Sequence, residues 1–303
     1  MSAAEWITRT SAGLRNEPSA TATLGQAHGR PIDPAAVAAA TAGKPEVSDI
    51  VVKVSFPRTD VPVEVDGWSS MPPFMGLTSW AAFEPGEKPG VDAMVMGDLV
   101  LFEDEVSPAM SAALDNGLEV TALHNHFFFD RPHVYFMHIA GEGSVERLGK
   151  GVRLALEAQK TVRQKAPSPA LAFGPSPSVV GPSKIDPAKL DAVFGLKGTA
   201  KDGMYKAVMG RKATAACGCS IGKAMGVNTW AAFGGTDENA VVDGDFAVTE
   251  SELQPVLKAL RSAGIHIVAI PLPHDRREPA HPLLALLGPR SGGGTREGRE
   301  ARA

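Results

Sequence analysis

Cysteine is nearly missing from this chain: among 303 residues there are two, Cys217 and Cys219. A single intervening residue makes a mutual disulfide strained, and two sulfurs do not complete a zinc site. The pair therefore reads as small side chains in a Gly/Ser/Ala-rich turn. Long apolar runs are missing too. No stretch approaches the roughly 18 residues that a membrane span requires, so no membrane span is expected. The opening segment, MSAAEWITRTSAGLRNEPSATATLGQAHGRP, has no basic start leading into an apolar core and does not read as a secretory signal. The expectation is a cytoplasmic chain with a disordered N-terminal segment over residues 1–30. An excess of basic charge is also missing. Lys+Arg number 30 against 34 Asp+Glu, a formal net charge of -4, which argues against a nucleic-acid partner. The remainder, 44% hydrophobic and 21% charged, is the make-up of a globular protein with room for two medium domains.

What is present is a repeat. Ile32–Ala35 (IDPA) recurs at Ile185–Ala188, and Met75–Phe83 (MGLTSWAAF) recurs as Met225–Phe233 (MGVNTWAAF). Gly97-Asp98 followed by Glu103 and Glu105 recurs as Gly244-Asp245 followed by Glu250 and Glu252. Gly117–Leu123 (GLEVTAL) recurs as Gly264–Ile270 (GIHIVAI). In each copy SWAAF and AMVMGDLVLF, or AVVDGDFAV, predict strands. EDEVSPAMSAALDNG predicts a helix, with Val106, Met110 and Leu114 at helical spacing, acids in its first turn and Gly117 just past its end. ESELQPVLKALRSAG, with Leu253, Leu257 and Leu260, is its counterpart. LEVTALHNHFFF and HVYFMHIAG predict two further strands, and SVERLGKGVRLALEAQK a closing helix. The fold class is α+β: two tandem copies of a β-β-α-β-β-α unit whose helices cover one sheet face. The first repeat spans residues 31–165, a Pro/Ser-rich linker 166–184, and an incomplete second repeat 185–270. Trp80 and Trp230, in the twin WAAF segments, read as core residues, with a ligand-stacking role as the alternative.

After Ile270 the second copy departs from the first. A hairpin and a helix are due, but the chain reads PLPHDRREPAHPLLALLGPRSGGGTREGREARA. Back-translated in a displaced frame, Pro271–His274 can encode H-x-H-M and Arg276–His281 can encode G-E-S/N-P-R-I. Leu283–Gly288 can encode F-L-H-Y-W-G, and the tail x-G-P-A-A-E-L-A-R-G-V-R. That string parallels HNHFFFDRPHVYFMHIAGEGSVERLGKGVR of copy one. The second repeat therefore reads as truncated by an apparent frame displacement after Ile270. Residues 271–303 become an aberrant, disordered tail, and strand Ile265–Ile270 loses its partner, leaving an exposed edge. The nucleotide sequence tests this, since an intact frame shared by independent isolates refutes it.

The chemistry-bearing cluster is histidine. His124 and His126 are two apart on a predicted strand and share a face. His138 lies on the returning strand. With Asp130-Arg131-Pro132 as the loop, Phe129 faces His133 and His124 faces His138, and three imidazoles converge as zinc or another divalent transition metal requires. A two-residue loop sends His138 to the far side instead. The plainer reading is a set of hydrogen-bonded histidines beside Phe127, Phe128, Phe129 and Tyr135. His133, near the turn, is expected to face solvent. Glu103 and Glu105 are the carboxylates proposed as catalytic bases, against a reading as helix N-terminal charge. The HNH string at 124–126 is too compact for the nuclease motif of that name, and GKAMG and FGGTDEN do not fit a phosphate-binding loop.

The strings VSFPRTDVPVEVDG, GLTSWAAF, VMGDLVLFEDEV, LEVTALHNHFFFDRPHVYFMHIAGEG and MGVNTWAAFGGTDENAVVDGDFAVTESELQPVLKALRSAGI resemble the LppY/LpqO family of bacterial proteins over roughly residues 32–270. The resemblance implies a tandem duplication, often exported or lipid-anchored, and no known reaction. It also implies a second-copy H-x-H-M stretch followed by F-L-H-Y-W, which this chain lacks. Two functions are expected. One is a metal-dependent, hydrolase-like enzyme using His124, His126 and His138. The other is a non-catalytic metal- or small-molecule-binding envelope protein with a pocket shared between the copies. An inactive frame-displaced product is the third reading. The ligand and the oligomeric state are not legible.

Overall fold

The computed structural model describes residues 30–170, 182–214, 219–270 and 281–286, with backbone alone for 214 and 281–286. The N-terminal segment expected to be disordered, the centre of the linker, Cys217 and most of the tail lie outside the described residues. Cys219 is disulfide-bonded, which corrects the expectation of an unlinked thiol there.

The first unit runs α1 (Pro34–Thr41), β1 (Pro45–Ser48), β2 (Val51–Pro57), β3 (Glu64–Val65), β4 (Thr78–Pro85), β5 (Ala93–Phe102), α2 (Glu103–Asp115), β6 (Glu119–His124), β7 (Asp130–Arg131), β8 (Val134–Gly143) and α3 (Val145–Lys165). The second runs α4 (Pro187–Phe194), β9 (Thr199–Lys201), β10 (Met204–Gly210), β11 (Ala213–Thr214), β12 (Ser220–Ile221), β13 (Asn228–Gly235), β14 (Ala240–Val248), α5 (Glu250–Ser262), β15 (His266–Ala269) and β16 (His281–Leu286). The α+β class and the tandem arrangement hold. Each unit is larger than β-β-α-β-β-α, because a helix and a hairpin precede it. The recurring IDPA builds that helix. Its Ile is buried in both copies. Its Asp accepts a hydrogen bond from the backbone two residues on, Asp33 from Ala35 at 2.9 Å and Asp186 from Ala188 at 3.0 Å. Its Pro sits in the first turn, where a missing N–H costs nothing.

The two large sheets have one strand order, β1-β2-β4-β5-β8-β6 and β9-β10-β13-β14-β16-β15. The strand β16 therefore fills the lane that β8 fills in the first unit. It pairs antiparallel with β14 and with β15, which corrects the expectation of an unpartnered 265–270 strand and places six tail residues in a sheet. The physical reason is that the lane presents unpaired N–H and C=O groups on both sides. An extended apolar segment can satisfy them whatever its side chains.

The helices lie on one face of the first sheet, over Val52, Val54, Ala81, Phe83, Val95, Leu99 and Leu101. On the other face the segment between β2 and β4 folds over one end and buries Val63, Met71 and Leu77 against Val100, Phe102, Val134 and Phe136. The rest of that face is left open. Trp80 lies there, and Trp230 at the matching position of the second sheet; both are half-buried, under the ammonium groups of Lys53 (4.6 Å) and Lys206 (3.7 Å). They are not core residues, which corrects that expectation. Their strand neighbours Ala81 and Ala231 take the buried side.

The units join through equivalent residues. Leu123 and Ile270, counterparts in the repeat, exchange both backbone hydrogen bonds at 2.9 and 3.1 Å. Around this seam the amide of Gln254 on α5 grips both backbone groups of Val120, at 3.0 and 3.1 Å. Ser107 on α2 meets Nδ1 of His266 at 2.8 Å. Leu257, Leu260, Ile267 and Ile270 join the core of the first unit. Gln254→Ala is expected to destabilise the chain by about 1–3 kcal/mol, because it strands the backbone groups of Val120. A urea titration reads this, and an unchanged midpoint would show the clamp to be dispensable.

Candidate functional site

On the open face of the first sheet, adjacent strands bring Trp80 (β4), Asp98 (β5), His138 (β8) and Ala122 (β6) into one row. Gly97 lets β4 and β5 approach there, since a Cβ on it would lie 2.6 Å from the carbonyl oxygen of Trp80. The same holds for Gly244 and Trp230 at 2.9 Å. This accounts for the recurring Gly-Asp: the glycine permits the approach, and the aspartate faces the open side.

The register differs from the expected one. His124 stands opposite Phe136, not His138, and His138 stands opposite Ala122. The connection causes the shift: β7 pairs with β3, so residues 125–133 form a longer link than a tight hairpin, while the bulge between Val120 and Ala122 lies beyond these pairs. The displacement is even, so His138 stays on the face of His124.

The three histidines do come together. Nε2 of His124 lies 3.1 Å from Nε2 of His126. The ring of His124 is centred 5.0 Å from that of His126 and 4.9 Å from that of His138. Phe136 forms the floor, with His126 stacked on it at 3.6 Å. Asp98 adds a carboxylate whose Oδ2 is 3.7 Å from Nε2 of His138. Two polar atoms here are buried without a hydrogen-bond partner, Nδ1 of His124 and Oδ1 of Asp98. Burial lowers the basicity of all three imidazoles, and neighbouring histidines lower His124 and His126 further. Burial also raises the carboxyl of Asp98, with His124 opposing. Neutral imidazole is the form that ligates a metal. As the side chains stand, no group of three or more His, Cys, Asp or Glu forms a metal cage among the described residues.

Asp98 was not among the expected site residues. Its signal was a lone charge inside the apolar strand AMVMGDLVLF, repeated as Asp245 in copy two. Among the described residues, no hydrogen bond or ion pair joins Glu103 or Glu105 to the cluster. Glu105 is fully buried, accepts hydrogen bonds from Arg58 at 2.7 and 3.1 Å and from the Phe102 N–H at 2.9 Å, and forms an ion pair with Arg163 at 2.7 Å. No oxygen is left to take a substrate proton, so the base role is corrected to one of capping and ion pairing. Glu103 is exposed and lines a separate surface pocket with Asp130, His133 and Pro169. His133 is largely exposed, as expected, with Nδ1 3.1 Å from Asp130.

The second unit keeps part of the site. Asp245 stands opposite Trp230, and its Oδ1 is likewise buried without a partner. Leu284 stands opposite Asp245, where the first unit has His138 opposite Asp98. No described helix is long and apolar enough to cross a membrane.

Comparison with known proteins yields no curated protein and no solved structure that matches. A family model does match, over residues 35–158 and 188–281. The two segments correspond to the two units, and the second runs past Ile270. With most of the chain covered in two tandem pieces, the protein belongs to the family described as Domain of Unknown Function (DUF1259).

Proposed function

We propose that the open face of the first sheet binds one divalent transition-metal ion through His124, His126 and His138. Zinc is one such ion that neutral imidazoles suit. Asp98 serves as a fourth ligand or as the carboxylate that orients His138. The observation that carries this reading is the 3.1 Å separation of the His124 and His126 Nε2 atoms. Two nitrogens on zinc, each about 2.0–2.1 Å from the ion, are roughly 3.3 Å apart at a tetrahedral angle. Rotation of the His138 ring, on a strand already facing the pair, completes the set. The Oδ1 of Asp98, buried beside the cluster without a hydrogen-bond partner, adds support.

A three-histidine ion leaves room for water, and a bound water is acidified toward neutral pH, which is the basis for hydrolase-like chemistry. A second reading is favoured by the burial of Glu105 in ion pairs: with that base unavailable, the site is a non-catalytic metal- or ligand-binding centre of an envelope protein. The finer LppY/LpqO-like assignment rests on the strings quoted above. The displaced frame rests on those strings too.

Titration with Co2+ tests the site. One equivalent is expected to bind per chain and to quench Trp80, which stands directly opposite Asp98. Trp80→Phe should remove the quenching and keep the stoichiometry. No saturable binding, or binding that leaves Trp80 emission unchanged, overturns the reading. A panel of hydrolysable esters then separates enzyme from binder.

A further inference from the structure

The two units differ most in what covers their helices. In the first, α3 lies across α1, α2 and the start of β6. Its Gly149 packs so closely on Ala40 that an added Cβ would sit 2.5 Å from the Ala40 Cβ, and Gly151 packs likewise on Leu118 at 2.9 Å. Its Leu148, Val152, Ala155 and Leu156 belong to the core. Near its end Arg163 meets Glu105 at 2.7 Å and also bonds Asp104.

The second unit has the receiving surfaces without such a helix among the described residues. The counterpart of Ala40 is Val193, 78% exposed. The counterparts of the buried Ala109 and Leu118 are Val256 and Ile265, both only half-buried. Glu105 is 0% exposed, whereas its counterpart Glu252 is 42% exposed. Glu252 keeps the counterpart of Arg58, Arg211, at 2.6 and 2.9 Å, but has no described ion pair to stand for Arg163. Its carboxyl is lowered to about 2, mainly by Arg211. The sequence that follows β16, LGPRSGGGTREGREARA, has no apolar stripe that could serve as such a helix.

We propose that the outward surfaces of α4 and α5, carrying the exposed Val193 and Glu252, dock an amphipathic helix with the chemistry of α3. That partner carries small residues where Gly149 and Gly151 make their close approach, an apolar stripe, and an arginine near its C-terminal end to meet Glu252. The first unit supports this choice of occupant, because there the equivalent surfaces are filled by such a helix with that arginine on that glutamate. Helix-in-groove recognition needs this combination of apolar anchors and a charge that sets register.

The test uses the full chain and a capped, fluorescein-labelled peptide of the sequence Ser144–Lys165, followed by anisotropy. Saturable binding at one peptide per chain is expected. Val193→Asp in the protein should weaken it by at least about tenfold, as should replacing the arginine corresponding to Arg163 by alanine in the peptide. Val193 is too exposed for its substitution to unfold the chain, and far-UV circular dichroism checks this. Absence of binding overturns the proposal. So does binding unaffected by Val193→Asp, which would place the peptide in the first unit. Self-association of the chain that is abolished by Val193→Asp overturns it too, because a second copy would then be the occupant.

Discussion

Glu105→Ala is expected to lower the unfolding free energy by about 3–5 kcal/mol, whereas the equivalent Glu252→Ala should cost at most about 1 kcal/mol. Both glutamates do the same local work. Each sits three residues into its helix and accepts the N–H of the residue that precedes it, Phe102 at 2.9 Å or Thr249 at 2.8 Å. Each also accepts two bonds from an arginine. What differs is burial. Arg58 and Arg163 are 6% and 8% exposed around a carboxylate with no exposure, while Arg211 is 35% exposed. Removing the buried carboxylate leaves two desolvated guanidinium groups that Asp60 and Asp104 offset only in part. Removing the exposed one leaves Arg211 to water. Guanidinium chloride or urea titration of both variants measures the contrast. Equal losses would mean that burial does not distinguish the two ion pairs.

His124→Ala should abolish Co2+ or Zn2+ binding at micromolar metal, and Asp98→Asn should weaken it by about 10–100-fold. His133→Ala, outside the cluster, should leave it unchanged. Burial holds all three imidazoles below the ordinary 6.5. Protons therefore compete with the metal only at lower pH than for exposed histidines, and affinity should stay level from about pH 8 to 6.5 before it falls. For the metal-free chain the sign follows from proton binding. With folded values below the unfolded one, the unfolded state holds more protons between them. Stability is then full above about pH 6.5 and declines as pH falls toward the lowered folded values. Isothermal titration across this range reads the first effect and thermal melts the second. Metal affinity that already drops at pH 7.5, or retained binding in His124→Ala, would remove the three-histidine assignment.

Much of the local structure was legible because its causes are local. The spacing of Val106, Met110 and Leu114 marked α2, and Glu105 and Glu252 marked where two helices begin. The repeat marked the units, down to the Gly-Asp pair that brings β4 and β5 together. His124 and His126 shared a face by strand alternation alone. The helices α1 and α4 are too short to show a periodicity, and IDPA, legible as a repeat marker, is also their cap. Trp80 and Trp230 read as core residues by their type, yet alternation with the buried Ala81 and Ala231 puts them on the other face.

The amino-acid order by itself determined the duplication, the α+β class and the pairing of His124 with His126, since these follow from periodicities of two and 3.6 residues and from adjacent caps. Tertiary structure decided which residues joined them. The register of β8 against β5 set His138 beside Asp98, and strand register over such a distance depends on contacts that no local window contains. It likewise decided that β16 fills the lane of β8, because backbone hydrogen bonding can recruit an extended segment where side chains alone would not. It also decided that Glu105 is sealed beneath α3, because burial depends on which helix arrives from a distant part of the chain.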